Sequence, residues 1–191
     1  MFQTIEQPPS MGRGRPRPKG IAMNKQTNKH PIRKTSRLLS YDYSSDGVYH
    51  VIICSRSKRC IFGTIECGQV CLSREDEIVD KAIRALPEHY PEVKILTYII
   101  MPNHVHILLG IGVTISGKDF FDISFDKGSD THHTLGQIIG SMKSYASKEA
   151  ASGLWQSRFY EHIIREQQDY ISTIEYIQNN PMKWERDEFY I

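Results

Sequence analysis

The stretch Met101-Pro102-Asn103-His104-Val105-His106-Ile107-Leu108-Leu109 decides how the rest of the chain is read. Val105, Ile107 and the preceding Tyr98-Ile99-Ile100 favour extended backbone. Successive side chains of a strand point to opposite faces, so His104 and His106 share one face and Val105 and Ile107 the other. A strand is stiff, and two imidazoles held side by side on it make half of a divalent-metal site. Imidazole serves several metals, so the pair alone does not choose among them. Two partly buried core histidines are the plainer account of the same pattern. Pro102 and Asn103 signal a turn, which makes Tyr98 to Met101 the end of a preceding strand.

Outward from this hairpin, the folded part is expected to begin near Arg37-Leu38-Leu39. Gly47 to Cys54 reads as a first, central strand, and Cys60 to Ile65 with Gln69 to Leu72 as a short hairpin. Ser73 with Asp76 approximates a capping box ahead of a helix whose apolar stripe is Ile78, Val79, Ala82, Ile83 and Leu86. Val93 to Met101 is the next strand. Residues 112 to 133 are polar and rich in Gly, Asp and Ser, the composition of a long loop. Thr134 and Gln137 form a second capping box, opening a helix to about Ala151 with Ile138, Ile139, Met142, Tyr145 and Ala146 apolar. Leu154 to Arg165 reads as turn then strand. Gln167 to Asn180 is a last helix with Tyr170, Ile171, Ile174 and Ile177 on one stripe, stopped by Pro181. The order of elements predicts an α+β sandwich, with the helices packed on one face of an antiparallel sheet.

The whole-chain charge of +2 hides an asymmetry. Residues 1–40 hold nine basic residues and one acid, Glu6, a net +8 that leaves −6 for the remainder. A basic arm on a mildly acidic body suits nucleic acid. Residues 1–36 have the composition of a disordered arm, and residues 37–191 form the folded domain. Gly14-Arg15-Pro16-Arg17 within the arm resembles an AT-hook, whose extended Arg-Pro core enters the narrow minor groove of A·T-rich duplex. Arg15 and Arg17 are its candidate DNA contacts. No apolar run is long enough for a membrane span or a signal peptide, so a cytoplasmic, nucleoid-associated protein is expected. The four cysteines, Cys54, Cys60, Cys67 and Cys71, lack paired C-x-x-C spacing and read as reduced thiols.

Four blocks then occur in the order of one family: Arg37 to Phe62, Tyr98 to His106, Trp155 to Arg165, and Glu175-Tyr176-Ile177-Gln178-Asn179-Asn180-Pro181. Over about residues 37 to 186 the chain resembles the single-tyrosine HUH transposases and, within them, the REP-associated tyrosine transposases. The resemblance implies a ferredoxin-like antiparallel sheet carrying the His pair and a catalytic tyrosine on a C-terminal helix. It also implies a Mg²⁺ or Mn²⁺ ion, and single-stranded DNA with a REP-like hairpin as substrate, cut and rejoined through a 5′-phosphotyrosine.

Tyr176 lies in the family's tyrosine block. Two histidines rarely suffice for a hard ion, and Asn180, one helical turn after Tyr176, is the expected third ligand beside His104 and His106. Asn179 and His162 are the alternatives, and a helix cap is the structural reading of Asn180. Lys143, Arg158 and Arg165 are candidate phosphate contacts, and Trp155, Phe159 and Tyr160 are core or base-stacking groups. The protein is expected to be a monomer or homodimer. Two rival readings stand beside the transposase: a metal phosphodiesterase that uses water, and a domesticated hairpin-binding protein without turnover.

Overall fold

The pattern of the strands leads to a sheet covered on both sides. The computed structural model describes residues 46–66, 69–117, 123–125, 133–187 and 189. In chain order these form β1 (Gly47–Cys54), the hairpin β2 (Gly63–Glu66) and β3 (Gln69–Leu72), α1 (Arg74–Arg84), and a short α2 (Leu86–His89). There follow β4 (Val93–Met101), β5 (His104–Ile111), the ribbon β6 (Val113–Ile115) and β7 (Ile123–Phe125), and α3 (Leu135–Glu149). The chain continues through β8 (Tyr160–Ile164), α4 (Gln167–Asn179) and a 3₁₀ segment, Pro181–Arg186. The main sheet has the order β4-β5-β1-β8, with every neighbour antiparallel. β1 and β4, joined through α1, are therefore parallel with β5 between them, the split β-α-β arrangement of ferredoxin-like folds.

Alternation divides the side chains of the central strands between two cores. Tyr49, Val51 and Ile53 of β1 and Val105, Ile107, Leu109 and Ile111 of β5 meet Val79, Ala82 and Ile83 of α1 and Ile138, Ile139 and Met142 of α3. The opposite face carries Val48 and Leu108, which pack with Tyr170 and Ile177 of α4, Val113 of β6 and Ile123 of β7. Both long helices before β8 thus lie on one face, as the sequence predicts, whereas α4 covers the other. The cause is that all eight residues of β5 are buried. A central strand with apolar groups on both faces needs a layer on each.

Local signals set the helix starts. The Ser73 hydroxyl accepts from the Asp76 amide (3.2 Å) and donates to the Ile61 carbonyl (3.0 Å), tying α1 to the chain before β2. Thr134 and Gln137 complete a reciprocal capping box at α3.

Other expectations are corrected. Residues 112–133 are not all loop, because β6 and β7 pair and bury Val113 and Ile123. Tyr145 and Ile171, assigned to apolar stripes, face solvent at 46% and 37% exposure. Each lies at the rim of its stripe, where a 3.6-residue period leaves a side chain off the packed face. Pro181 ends α4 but opens the 3₁₀ segment, which buries Trp184. The arm, with Arg15 and Arg17, lies outside the described residues. Among the described residues no helix is long and apolar enough to cross a membrane.

One buried group is out of keeping with the core. Asp76, the third residue of α1, is 1% exposed and its Oδ1 has no hydrogen-bond partner. Burial, then the Asp80 and Glu77 carboxylates, push its pKa from 3.8 to about 6. The folded state therefore holds this proton more tightly than the unfolded chain. Ionisation costs stability as the pH rises through that window, and the cost is absent below it. Asp76→Asn is predicted to raise the thermal midpoint at about pH 7.5 by about 2–4 °C, the shift that about 1 kcal/mol gives a chain of this length. At about pH 3.5 it should bring no gain; thermal melts giving equal effects at the two pH values would contradict the assignment.

Candidate active site

Because the even-numbered residues of β5 face α4, His104 and His106 lie beneath that helix, and both are fully buried. Register adds a third imidazole. Ile52 of β1 stands opposite His106, and His50 lies two residues along on the same face. His50 stacks on His106 with ring centroids 5.3 Å apart and 21° between planes. Nothing local in the sequence marks His50, since its place depends on how β1 pairs with β5.

The hydrogen bonds orient each ring. The Asn103 amide nitrogen donates to the carbonyls of Lys58 (3.1 Å) and Phe189 (2.7 Å), so its oxygen is left to accept from His104 Nδ1 at 2.8 Å. The Asn180 amide nitrogen lies 3.3 Å from His106 Nε2, and His106 Nδ1 lies 3.1 Å from His50 Nε2. His104 thus carries its proton on Nδ1, and the Nε2 atoms of His104 and His106 converge to 2.8 Å. Burial keeps the rings neutral. It lowers His104 to about 4, with the Asp187 carboxylate opposing and the Lys58 cation assisting. It lowers His50 to about 4, with His162 assisting and Asp169 opposing. His106 is held well below its ordinary value by burial and then by the two neighbouring imidazoles.

Nitrogens this close are joined either by a shared proton or by a cation that both lone pairs face. Ligands at right angles on an octahedral Mg²⁺-like ion stand about 2.9 Å apart, close to the spacing of these two nitrogens. Oxygen donors are at hand. One atom each of His104, His106 and Asp187 lies within 4.8 Å of the others. Asn180 is 2% exposed and its Oδ1 has no hydrogen-bond partner, an orphaned buried acceptor one turn from Tyr176. The donor set therefore fits a divalent metal ion. Sequence reasoning missed Asp187, which reaches the site only because the 3₁₀ segment folds back after Pro181.

The Tyr176 ring stands edge-on to His106 at 5.3 Å and to His50 at 6.3 Å, and it is 40% exposed. Tyr170 is buried in the second core and Tyr160 is 55% exposed on β8. Of the alternative ligands, His162 holds both Asp169 oxygens at 2.9 Å from its Nε2. The exposed Asn179 donates to the Glu175 carbonyl. Lys143 Nζ donates to the carbonyls of Gln156 (2.7 Å) and Ser157 (3.2 Å), tethering the segment before β8. Arg158 and Arg165 are exposed. Trp155 packs on Phe62 at 5.0 Å and Phe159 against the main core, which accounts for both as core groups. Cys54, Cys60 and Cys71 are free thiols.

Comparison with known proteins gives a consistent picture. No protein-family model matches the chain. A Haemophilus influenzae protein of uncharacterized function is 36% identical over 170 residues, covering 83% of this chain and 93% of that one. A second Haemophilus influenzae protein, provisionally described as a REP-associated tyrosine transposase, is 31% identical over 96 residues, half of this chain and 53% of that one. Among solved structures, a REP-associated tyrosine transposase bound to a REP hairpin superposes with a TM-score of 0.55 at 20% identity, covering 78% of this chain and 74% of that one. The chain has the fold of that transposase.

The site's chemistry makes a metal titration decisive. The full chain is predicted to take up one Mn²⁺ by calorimetry, and His104→Ala or His106→Ala to lose it. Asn103→Ala, which removes the partner of His104 Nδ1 together with the bonds to the Lys58 and Phe189 carbonyls, should weaken binding by roughly 10–100-fold. Unchanged affinity in both histidine variants would remove the metal assignment.

Proposed function

We propose that this chain, a relative of the REP-associated tyrosine transposases, cuts and rejoins single-stranded DNA beside hairpins with Tyr176 as nucleophile. Kinship supports a transposase-like role. The observation that carries the finer reading is the placement of Tyr176 and Asn180, one turn apart on α4, against the converging His104 and His106 rings. Tyr176 is exposed enough to meet a strand, while Asn180, one turn on, is buried among the ligands.

The reaction needs a nucleophile, charge neutralisation and positioning. A tyrosine hydroxyl titrates near 10 in the reference state, so the phenol loses its proton as it attacks. The bond from the Tyr176 oxygen to phosphorus forms, the bond from phosphorus to the 3′ oxygen breaks, and that oxygen leaves as a 3′-hydroxyl after taking a proton. The 5′-phosphotyrosine keeps the ester bond, so a second strand's 3′-hydroxyl can displace the tyrosine without ATP. A Mg²⁺ or Mn²⁺ held by His104, His106, Asn180 and Asp187 would draw electron density from the scissile phosphate and offset its charge.

DNA recognition is assigned to other parts of the molecule. The solved transposase holds a REP hairpin, and a hairpin of that kind is the proposed partner here. Arg158 and Arg165 supply phosphate contacts, while the basic arm, through Arg15 and Arg17, adds affinity for A·T-rich duplex. Lys143, already bonded to two carbonyls, contributes by setting the position of Arg158.

Tyr176→Phe is predicted to bind hairpin DNA and Mn²⁺ as the parent protein does, and to form no covalent adduct with labelled single-stranded DNA on a denaturing gel. Tyr160→Phe and Tyr170→Phe should still form it. Mass spectrometry of the DNA–peptide conjugate should place the link on Tyr176. An adduct on another tyrosine overturns the assignment. Free 5′-phosphate ends without an adduct indicate a water-using phosphodiesterase, and tight binding without cleavage a domesticated binder.

A further inference from the structure

We infer that His50 is a positioning residue for the metal site: it holds the His106 proton on Nδ1 and so prevents His104 and His106 from hydrogen-bonding to each other where the ion is to sit. This rests on the reading of His104 and His106 as metal ligands. A neutral imidazole carries one proton, and either nitrogen can hold it. If the proton of His106 moved to Nε2, it would lie 2.8 Å from the lone pair of His104 Nε2. That separation is an ordinary hydrogen bond. The bond would satisfy both rings, and the ion would have to break it and displace the proton before binding.

The group that decides between the two tautomers is His50, whose Nε2 lies 3.1 Å from His106 Nδ1 and accepts from it when His50 carries its own proton on Nδ1. His50 is well placed for this task. It is 8% exposed and sits on a central strand, so its ring has little freedom. It stacks on His106 with 21° between planes, which holds the two rings together. It also meets the Tyr176 ring edge-on at 71°, so the rings of His50 and His106 form a floor on which the proposed nucleophile stands. His104 has its own lock in Asn103, whose amide nitrogen is committed to two backbone carbonyls. Each ligand imidazole thus has a dedicated acceptor behind it, one an amide and the other a histidine.

The test reads the tautomer first, in the metal-free full chain, by nitrogen-15 correlation spectra of the imidazoles. In the parent protein His106 should carry its proton on Nδ1; a proton on Nε2 overturns the inference without recourse to any variant. In His50→Leu, which removes the acceptor and keeps an apolar bulk, the proton should move to Nε2. In His50→Gln, whose side-chain oxygen can accept, it should stay on Nδ1. Mn²⁺ titration should then show His50→Leu weakened by about tenfold or more and His50→Gln close to the parent. Hairpin affinity should be unchanged in both. Equal weakening in the two variants, or an unshifted tautomer in His50→Leu, overturns the role. If His104→Ala binds Mn²⁺ as the parent does while the tautomer still shifts in His50→Leu, the metal reading fails and the proton lock stands.

Discussion

The pleat of β5 governs what every other group at the site can do. One set of its side chains, Val105, Ile107, Leu109 and Ile111, is locked into the main core against α1 and α3. The alternate set, which begins with His104 and His106, must then face α4. A one-residue slip of β5 would send the histidines into the core and the aliphatic groups to the site, so the hydrophobic burial of one face specifies the chemistry of the other. The second face is not a free surface. α4 is held over it by Tyr170 and Ile177, by the contact of Asp169 with His162, and by Asn180 against His106. Tyr176, between these anchors, inherits its position from them.

This arrangement carries a local cost. Three imidazoles are buried in their neutral form, and the Asn180 oxygen is buried without a partner. Polar groups left unsatisfied in a packed interior each destabilise a fold by about 1–3 kcal/mol. The apolar core on the far side of the sheet offsets these costs, and an ion that accepts electron density from the same atoms would relieve them. Binding and folding would then be coupled, since such an ion would stabilise the folded state and has no preformed site in the unfolded chain.

Much of this was legible before the fold was known, because it depends on local period. Two residues apart on a strand means one face, which placed His104 with His106. Four residues apart on a helix means one face, which placed Tyr176 with Asn180. The N-cap at Ser73 and the capping box at Thr134 marked two helix starts, being equally local. What the sequence did not reveal is set by non-local pairing. His50 joins the site through the β1–β5 register, and Asp187 through a 3₁₀ segment that folds back. The second helical layer was missed because a run such as His104-Val105-His106-Ile107-Leu108-Leu109 reads equally as a strand covered on one face or on two. Tyr145 and Ile171 fit a helical stripe by number, but how far round a helix its neighbours reach is a property of the neighbours.

The central claim is that His104 Nε2 and His106 Nε2 converge to receive a divalent ion beside Tyr176. Anomalous diffraction from crystals of the full chain grown with Mn²⁺ tests it directly. The account predicts a single strong peak within bonding distance of both Nε2 atoms, with the Asn180 or Asp187 oxygen completing the coordination. Crystals that show no peak there, with the two nitrogens bridged by a proton at hydrogen-bond distance, would contradict it.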